Sequence, residues 1–326
     1  MTNPDFTIIA IGQGGRLQYE AVLLAASLRA TNPGFGGLVF AEPQPGPLWP
    51  DDPRMTEPAR SLLVDLGAVI VPFESKVFGH SYPYGNKIEA LTALPARPFV
   101  FLDTDTLVTG PLSSLTIDFA RPSASMRRTG TWPVTELYGP TPTEVWKSLY
   151  DRFGLDFDAS LDLTQPEDYW QRFLYFNAGW FFHQNPQEFG ARFLAYATEI
   201  RDKRPAELVC QDLNPWLDQV ALPLVIHSLG GGRPGQGLAG LDGDVTCHWR
   251  TLPLLYARES DDVVALLEQI AGQNAVKRVL KLYDPFKRML YQGKGTAARL
   301  LFDRGAMPRR EQMIRNTLKR NGLWYR

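Results

Sequence analysis

Apolar residues alternate between two rhythms along this chain, and the alternation predicts its elements. Phe6-Thr7-Ile8-Ile9-Ala10-Ile11 reads as a buried strand, and Leu17 to Arg29 follows with apolar positions at helical spacing. Gly37 to Ala41 is strand-like, Pro58 to Leu66 helical, and Ala68 to Val71 a third strand. Asn86 to Leu94 reads as a helix, and Phe99-Val100-Phe101-Leu102 as a fourth strand. Short β-branched or aromatic runs between helical stretches are the pattern of βαβ units, so an α/β fold with a mostly parallel sheet is expected. Such sheets bind ligands beyond the carboxyl ends of their strands. The segments after Ile11, Val71 and Leu102 are therefore where chemistry is sought.

The rhythm then loosens. From Asp118 to about Asp162, prolines at 122, 133, 140 and 142 suggest insertions around the sheet. Seven glycines between Gly230 and Gly243 are too many for a regular element, and a mobile loop is expected there. Helical patterning returns after Glu259, with Val263, Leu266, Leu267 and Ile270, then Val276, Val279, Leu280 and Tyr283. We divide the chain into a main unit, 1–259, and a helical C-terminal extension, 260–326.

Charge supports the division. The net charge of −1 combines +8 in residues 260–326 with −9 in the rest. The near-zero total disfavours a nucleic-acid binder working through bulk positive charge. The basic extension suggests either a solvated cap or peripheral contact with an anionic membrane face. Cys210 and Cys247 form no CxxC pattern, so a cysteine-built zinc site is excluded. No run approaches the roughly 20 apolar residues of a transmembrane span, and the start lacks signal-peptide character. A cytoplasmic enzyme, at most peripheral on the inner membrane face, is expected.

The strongest chemical signal is Phe99-Val-Phe-Leu-Asp103-Thr-Asp105-Thr-Leu-Val. Four apolar residues deliver two carboxylates, two positions apart, to the end of a buried strand. Period-2 geometry brings Asp103 and Asp105 to one side. Paired anions need a compensating cation. Mn²⁺ or Mg²⁺ suits them, being a hard ion that also binds phosphate oxygens.

This segment resembles the DxD motif of GT-A nucleotide-sugar glycosyltransferases, especially the retaining glycogenin and bacterial galactosyltransferase-like group (family 8-like). Three further stretches fall in the family's order. Tyr84-Gly-Asn-Lys87-Ile-Glu-Ala-Leu resembles the helix that faces the nucleotide. Phe176-Asn177-Ala178-Gly179-Trp180 resembles the strand lining the donor-sugar pocket, and Trp216-Leu-Asp218-Gln219 the pair near the reacting sugar. The resemblance covers roughly residues 6–255. It implies a GT-A type, Rossmann-like mixed sheet flanked by helices.

It also implies roles. Asp103, Asp105 and His248 would hold the metal, with His227, in the strand-like Pro-Leu-Val-Ile-His, the rival to His248. Asp218, Gln219 and Asn177 are the catalytic candidates. Lys87, Asp103, Gly179 and Arg250 would contact the donor, with Gly12 and Gly14 of the first loop near its base. Where the family carries Lys-Pro-Trp after the late histidine, this chain has His248-Trp-Arg250, so Arg250 is the candidate replacement for the lysine. Asn177 offers both a donor and an acceptor to sugar hydroxyls, although it also suits backbone capping in a strand. The implied reaction is metal-dependent sugar transfer from a nucleotide-diphosphate sugar, UDP by resemblance, to a glycan or lipid-linked acceptor, with retention. The glycine-rich segment would close over the donor and exclude water.

Two other readings stand beside it. Gly12-Gln-Gly14-Gly15-Arg16 has Leu17 where a dinucleotide fingerprint needs glycine, which weakens hydride transfer. The same loop is similar to the start of sugar nucleotidyltransferases, but no lysine follows it before Lys76. A non-catalytic nucleotide-sugar or carbohydrate-binding protein on the same scaffold is the remaining alternative.

Overall fold

A computed structural model describes residues 5–127, 132–135 and 137–325. The expected alternation is present. Strand β1 (Thr7–Ile11) leads to α1 (Arg16–Thr31), β2 (Leu38–Pro43) to α2 (Glu57–Asp65), and β3 (Val69–Phe73) to the short α3 (Asn86–Glu89). Then come β4 (Phe99–Leu102), β5 (Thr106–Val108), β6 (Ala124–Ser125), α4 (Pro142–Arg152), β7 (Asn177–His183), α5 (Pro186–Asp202) and α6 (Leu217–Ser228). The chain continues with β8 (Thr246–His248) and α7 (Leu252–Arg258). Five further helices follow: α8 (Asp261–Gly272), α9 (Asn274–Leu280), α10 (Asp284–Tyr291), α11 (Lys294–Leu300) and α12 (Glu311–Arg320).

The main sheet has the order β3-β2-β1-β4-β7-β6. Its first four strands are parallel, while β7 runs antiparallel to β4 and β6 antiparallel to β7. The sheet is mostly parallel, as the sequence pattern predicts, and mixed and flanked by helices, as the family resemblance implies. Period-2 alternation divides its side chains between two cores. Ile8, Ala10, Val100 and Leu102 face α1 and the C-terminal helices, whereas Ile9, Ile11, Phe99 and Phe101 face α5 and α6. Burial on both faces explains the near-continuous apolar runs.

A second ribbon sets the site. β5 pairs antiparallel with β8, placing Thr106 opposite His248. The Trp249 N–H donates to the Asp105 carbonyl at 2.9 Å, extending the ladder one step toward the two aspartates. A residue 143 positions later is thereby fixed beside Asp105.

Four local expectations are corrected. The helix from Asn86 is α-helical only to Glu89, and Ala90–Ala93 tightens into a 3₁₀ turn. Residues 142–152 form a helix where insertions were expected. Pro142 stands at its first position and Thr141 and Glu144 close a capping box, so the proline starts the helix rather than breaking it. Pro-Leu-Val-Ile-His227, read as strand-like, lies inside α6. That helix is buried almost all round, which removes the polar face that reveals a helix in sequence. The glycine-rich segment is packed: Gln236–Asp242 is a 3₁₀ stretch, Leu238 and Leu241 are buried, and a Cβ on Gly231 would stand 2.0 Å from the Pro122 carbonyl oxygen. Gly231, Gly237 and Gly240 serve close approach, whereas Gly230, Gly232 and Gly235 sit in open loop, where a Cβ would meet nothing within 4 Å.

The last five helices join the larger core. Leu267, Ile270, Val276, Leu280, Ile314 and Leu318 are buried in the cluster that holds Ile8, Leu24 and Leu28. Tyr283 stacks on Tyr19 of α1 at 5.0 Å. No helix among the described residues is long and apolar enough to cross a membrane.

Candidate active site

β4 ends at Leu102, and the chain turns through Asp103-Thr104-Asp105 before β5 begins. Thr104 anchors this turn by donating its hydroxyl to buried Glu20 of α1 at 3.1 Å. The Asp103 N–H donates to the Gly179 carbonyl at 2.8 Å, tying the turn to β7. The turn that carries the two carboxylates is thus held by β7 and by α1.

Asp103, Asp105 and His248 each offer one ligand atom, and these atoms lie within 4.8 Å of one another. His248 Nε2 is 3.0 Å from Asp105 Oδ1. Burial pushes the His248 pKa down, but neighbouring Asp105 outweighs it and leaves the imidazole above its ordinary value. Burial pushes Asp105 up, and His248 with Arg16 brings it below the usual carboxylate range. Two carboxylate oxygens and one imidazole nitrogen are a donor set that accepts Mn²⁺ or Mg²⁺, and the residues present fit such an ion. His227 is elsewhere: its ring meets Tyr150 at 5.4 Å, and it belongs to no such group among the described residues.

Lys87 of α3 connects the acid pair to α6. Its Nζ donates to Asp103 Oδ1 at 2.8 Å and the Ala178 carbonyl at 3.2 Å, and lies 3.4 Å from Asp218 Oδ2. Two ammonium protons are thus hydrogen-bonded, and the charge is shared between two carboxylates. Burial alone would lower its pKa, but Asp103 and Asp218 hold it above the ordinary lysine value, so it stays charged. Asp218 is buried, which raises its carboxyl pKa against the pull of Lys87 and the Tyr82 hydroxyl. Tyr82 lies 2.9 Å from Asp218 Oδ1 and also accepts the Asp218 backbone N–H at 3.0 Å.

The β7 residues act partly on their own strand. Asn177 Oδ1 accepts the Gly179 N–H at 3.0 Å, and its amide donates to the Arg127 carbonyl at 3.1 Å. Asn177 is buried, and both its oxygen and its amide are engaged within the protein. Gly179 leaves room for the His248 ring, since a Cβ there would stand 2.5 Å from Nδ1. Gln219 Oε1 accepts the Tyr175 hydroxyl at 2.9 Å.

A cavity of about 280 Å³ opens beside the acid pair, with Ile11, Gln13, Arg16, Tyr84, Phe101 and Lys87 in its wall. From the first loop, Gln13 and Arg16 line it, while Gly12 and Gly14 back onto Met55 and Arg54. Arg250 does not line it: its guanidinium bonds Glu311 at 3.3 Å and faces a second cavity together with Gln219.

Sequence reasoning missed Glu20 and the bonding roles of Arg16 and Tyr82. The Arg16–Glu20 pair, bonded at 2.6 Å, has visible i,i+4 spacing. Nothing local ties Tyr82 to a residue 136 positions later.

A mostly parallel α/β sheet with paired acids beyond its fourth strand, completed by a late histidine and flanked by a cavity, defines the glycosyltransferase class that the motifs resemble. The chain belongs to the Rhodobacterales glycosyltransferase domain family, which it matches over residues 8–230. Among solved structures it is similar to the galactosyltransferase LgtC in complex with donor and acceptor sugar analogs, at 12% identity and TM-score 0.48, covering 82% of this chain and 96% of that one. It is similar to the apo structure of the bifunctional glycosyltransferase WbbM at 13% identity and TM-score 0.46, covering 86% of this chain and only 52% of that one. The apo glycosyltransferase GlyE of Streptococcus pneumoniae TIGR4 is similar at 12% identity and TM-score 0.46, over 85% and 63% of the two chains. No curated protein sequence matches the chain.

Proposed function

We propose that the protein transfers a sugar from a nucleotide-diphosphate sugar, with uridine as the base, in a metal-dependent reaction that retains anomeric configuration. The observation that carries this reading is the convergence of Asp103, Asp105 and His248 within 4.8 Å beside a cavity at the sheet's carboxyl end. Bound by these three residues, Mn²⁺ or Mg²⁺ supplies Lewis-acid charge for the leaving diphosphate.

The chain's own residues do the rest. Gln13, Tyr84 and Phe101 offer the base and ribose a wall that is part polar and part aromatic. Lys87 keeps a positive charge next to the diphosphate position and holds Asp103 and Asp218 in place. Asn177, Asp218 and Gln219 position the donor sugar. Arg16 adds a second cation on the nucleotide side. The acceptor is a glycan or a lipid-linked sugar.

Titration of UDP with Mn²⁺ into wild type and Asp105→Ala tests this. Loss of metal-dependent UDP binding in the variant is expected, and unchanged binding would overturn the assignment. Incubation with a nucleoside triphosphate and a sugar phosphate separates the nucleotidyltransferase alternative, because that enzyme alone releases pyrophosphate. NMR of the product's anomeric proton decides retention.

A further inference from the structure

A second cavity, of about 730 Å³, lies between the Asp218-Gln219 turn and the start of α12. Its wall carries six arginines, Arg127, Arg250, Arg258, Arg309, Arg310 and Arg315, and one carboxylate, Glu311. Glu311 is shared by three of them, at 3.3 Å from Arg250, 2.9 Å from Arg258 and 2.6 Å from Arg315. Among the described residues, Arg127, Arg309 and Arg310 have no carboxylate partner. Arg258 is also paired with Glu259 at 2.7 Å, so the six arginines meet two carboxylates and keep a surplus of four positive charges. α12 adds the positive end of its dipole, since Arg310, Glu311 and Gln312 at its N-terminus all line the cavity. Concentrating like charge in a concave wall costs self-repulsion and creates a strong field for anions. Guanidinium forks match phosphate oxygens in pairs.

The position of this basin says which anion it takes. It shares no lining residue with the cavity beside Asp103 and Asp105. It reaches the reaction centre through Gln219, next to Asp218, and through Arg250, two residues after His248. An anion seated here lies against Gln219 and Arg250.

We infer that the basin binds an anionic, phosphate-bearing acceptor, and that the C-terminal helices build half of the acceptor site. This rests on the sugar-transfer reading above. Arg309 and Arg310 clamp the phosphate from the extension, and Arg127 clamps it from the main sheet. The shared chemistry is a phosphate ester, carried either by a diffusible sugar or by a lipid.

The test uses the full chain in EDTA, where the divalent-ion site contributes nothing. Glycerol 3-phosphate is titrated by calorimetry, and the protein is sedimented with vesicles of equal parts phosphatidylcholine and phosphatidylglycerol or of phosphatidylcholine alone. Wild type is expected to bind, and Arg309→Gln/Arg310→Gln to bind roughly tenfold more weakly. Saturable glycerol 3-phosphate binding without vesicle retention assigns a diffusible phosphorylated acceptor. Retention on the anionic vesicles that the double variant loses assigns a lipid-borne phosphate. Arg309 and Arg310 are exposed, so the variant should fold, as near-UV dichroism will check. Arg127→Gln, on a separate element, gives a second reading of the same loss. Equal binding by variant and wild type overturns the inference, as does absence of binding to both probes. A parallel tenfold loss of UDP–Mn²⁺ affinity in the double variant also overturns it, because the basin would then serve the donor. Asp105→Asn keeps the two readings apart: it should lose UDP–Mn²⁺ and retain anion binding. Arginine-dependent anion binding in a protein that never binds UDP–Mn²⁺ would sink the transferase reading and leave the basin standing.

Discussion

Gly179 and His248 meet so closely that a Cβ on the glycine would lie 2.5 Å from the imidazole Nδ1 and 2.8 Å from Cε1. The strand backbone cannot retreat, because β7 is buried throughout and paired on both sides. The histidine ring is the part that must yield. A glycine in the middle of a strand thus sets the position of an imidazole on another ribbon.

Gly179→Ala is therefore expected to fold and to lose affinity for the divalent ion by roughly tenfold or more, as for other residues that orient a ligand. Mn²⁺ titration in the presence of UDP measures this. Affinity equal to wild type would show that the ring position is not what the site depends on.

Lys87→Met removes the cation between Asp103 and Asp218 while keeping much of the stem's bulk. Breaking a buried pair leaves an uncompensated charge, and a loss of about 3 kcal/mol is expected at neutral pH. Asp218 already has a raised pKa from burial, and without Lys87 it rises further. A carboxyl raised on folding contributes stability below its unfolded pKa and loses it as pH rises. The variant's deficit should therefore shrink on acidification, which urea unfolding at several pH values will record.

Glu311→Gln should have a pH dependence set by the opposite shift. Burial pushes the Glu311 carboxyl up, but Arg250, Arg315 and Arg258 hold it below the ordinary glutamate value. Its contribution is present above the unfolded glutamate pKa and disappears as pH falls through the depressed folded value. We expect a deficit of about 2 kcal/mol near neutrality, where charge-assisted bonds are lost, and none in strong acid. A deficit independent of pH would assign the effect to packing instead.

Removing residues 260–326 should abolish folding rather than release an independent main unit. Leu267, Ile270, Leu280 and Leu318 are fully buried in the core shared with β1 and α1. Each such side chain is worth about 1.5–3 kcal/mol, and a domain's whole margin is about 5–15 kcal/mol. A soluble, cooperatively melting 1–259 fragment would contradict this.

Much of the fold was legible because buried parallel strands leave unmistakable apolar runs, and Asp103 with Asp105 stands out against the run that precedes them. Segments of less ordinary composition misled. Pro142 is a helix start disguised as a breaker, and the apolar stretch through His227 belongs to a helix with no polar face to betray it.

From its own order, the chain determined an α/β sheet and an acid pair at the end of the fourth strand. Those features depend on local periodicity and on side chains adjacent in sequence. The tertiary structure alone decided that His248 and not His227 joins the acids, because β5 pairs with β8. It also decided that Lys87 bridges Asp103 to Asp218, and that Arg250 turns to Glu311 and a basin built by the C-terminal helices. Pairing register and the burial of charge are relations between distant segments, and no local pattern encodes them.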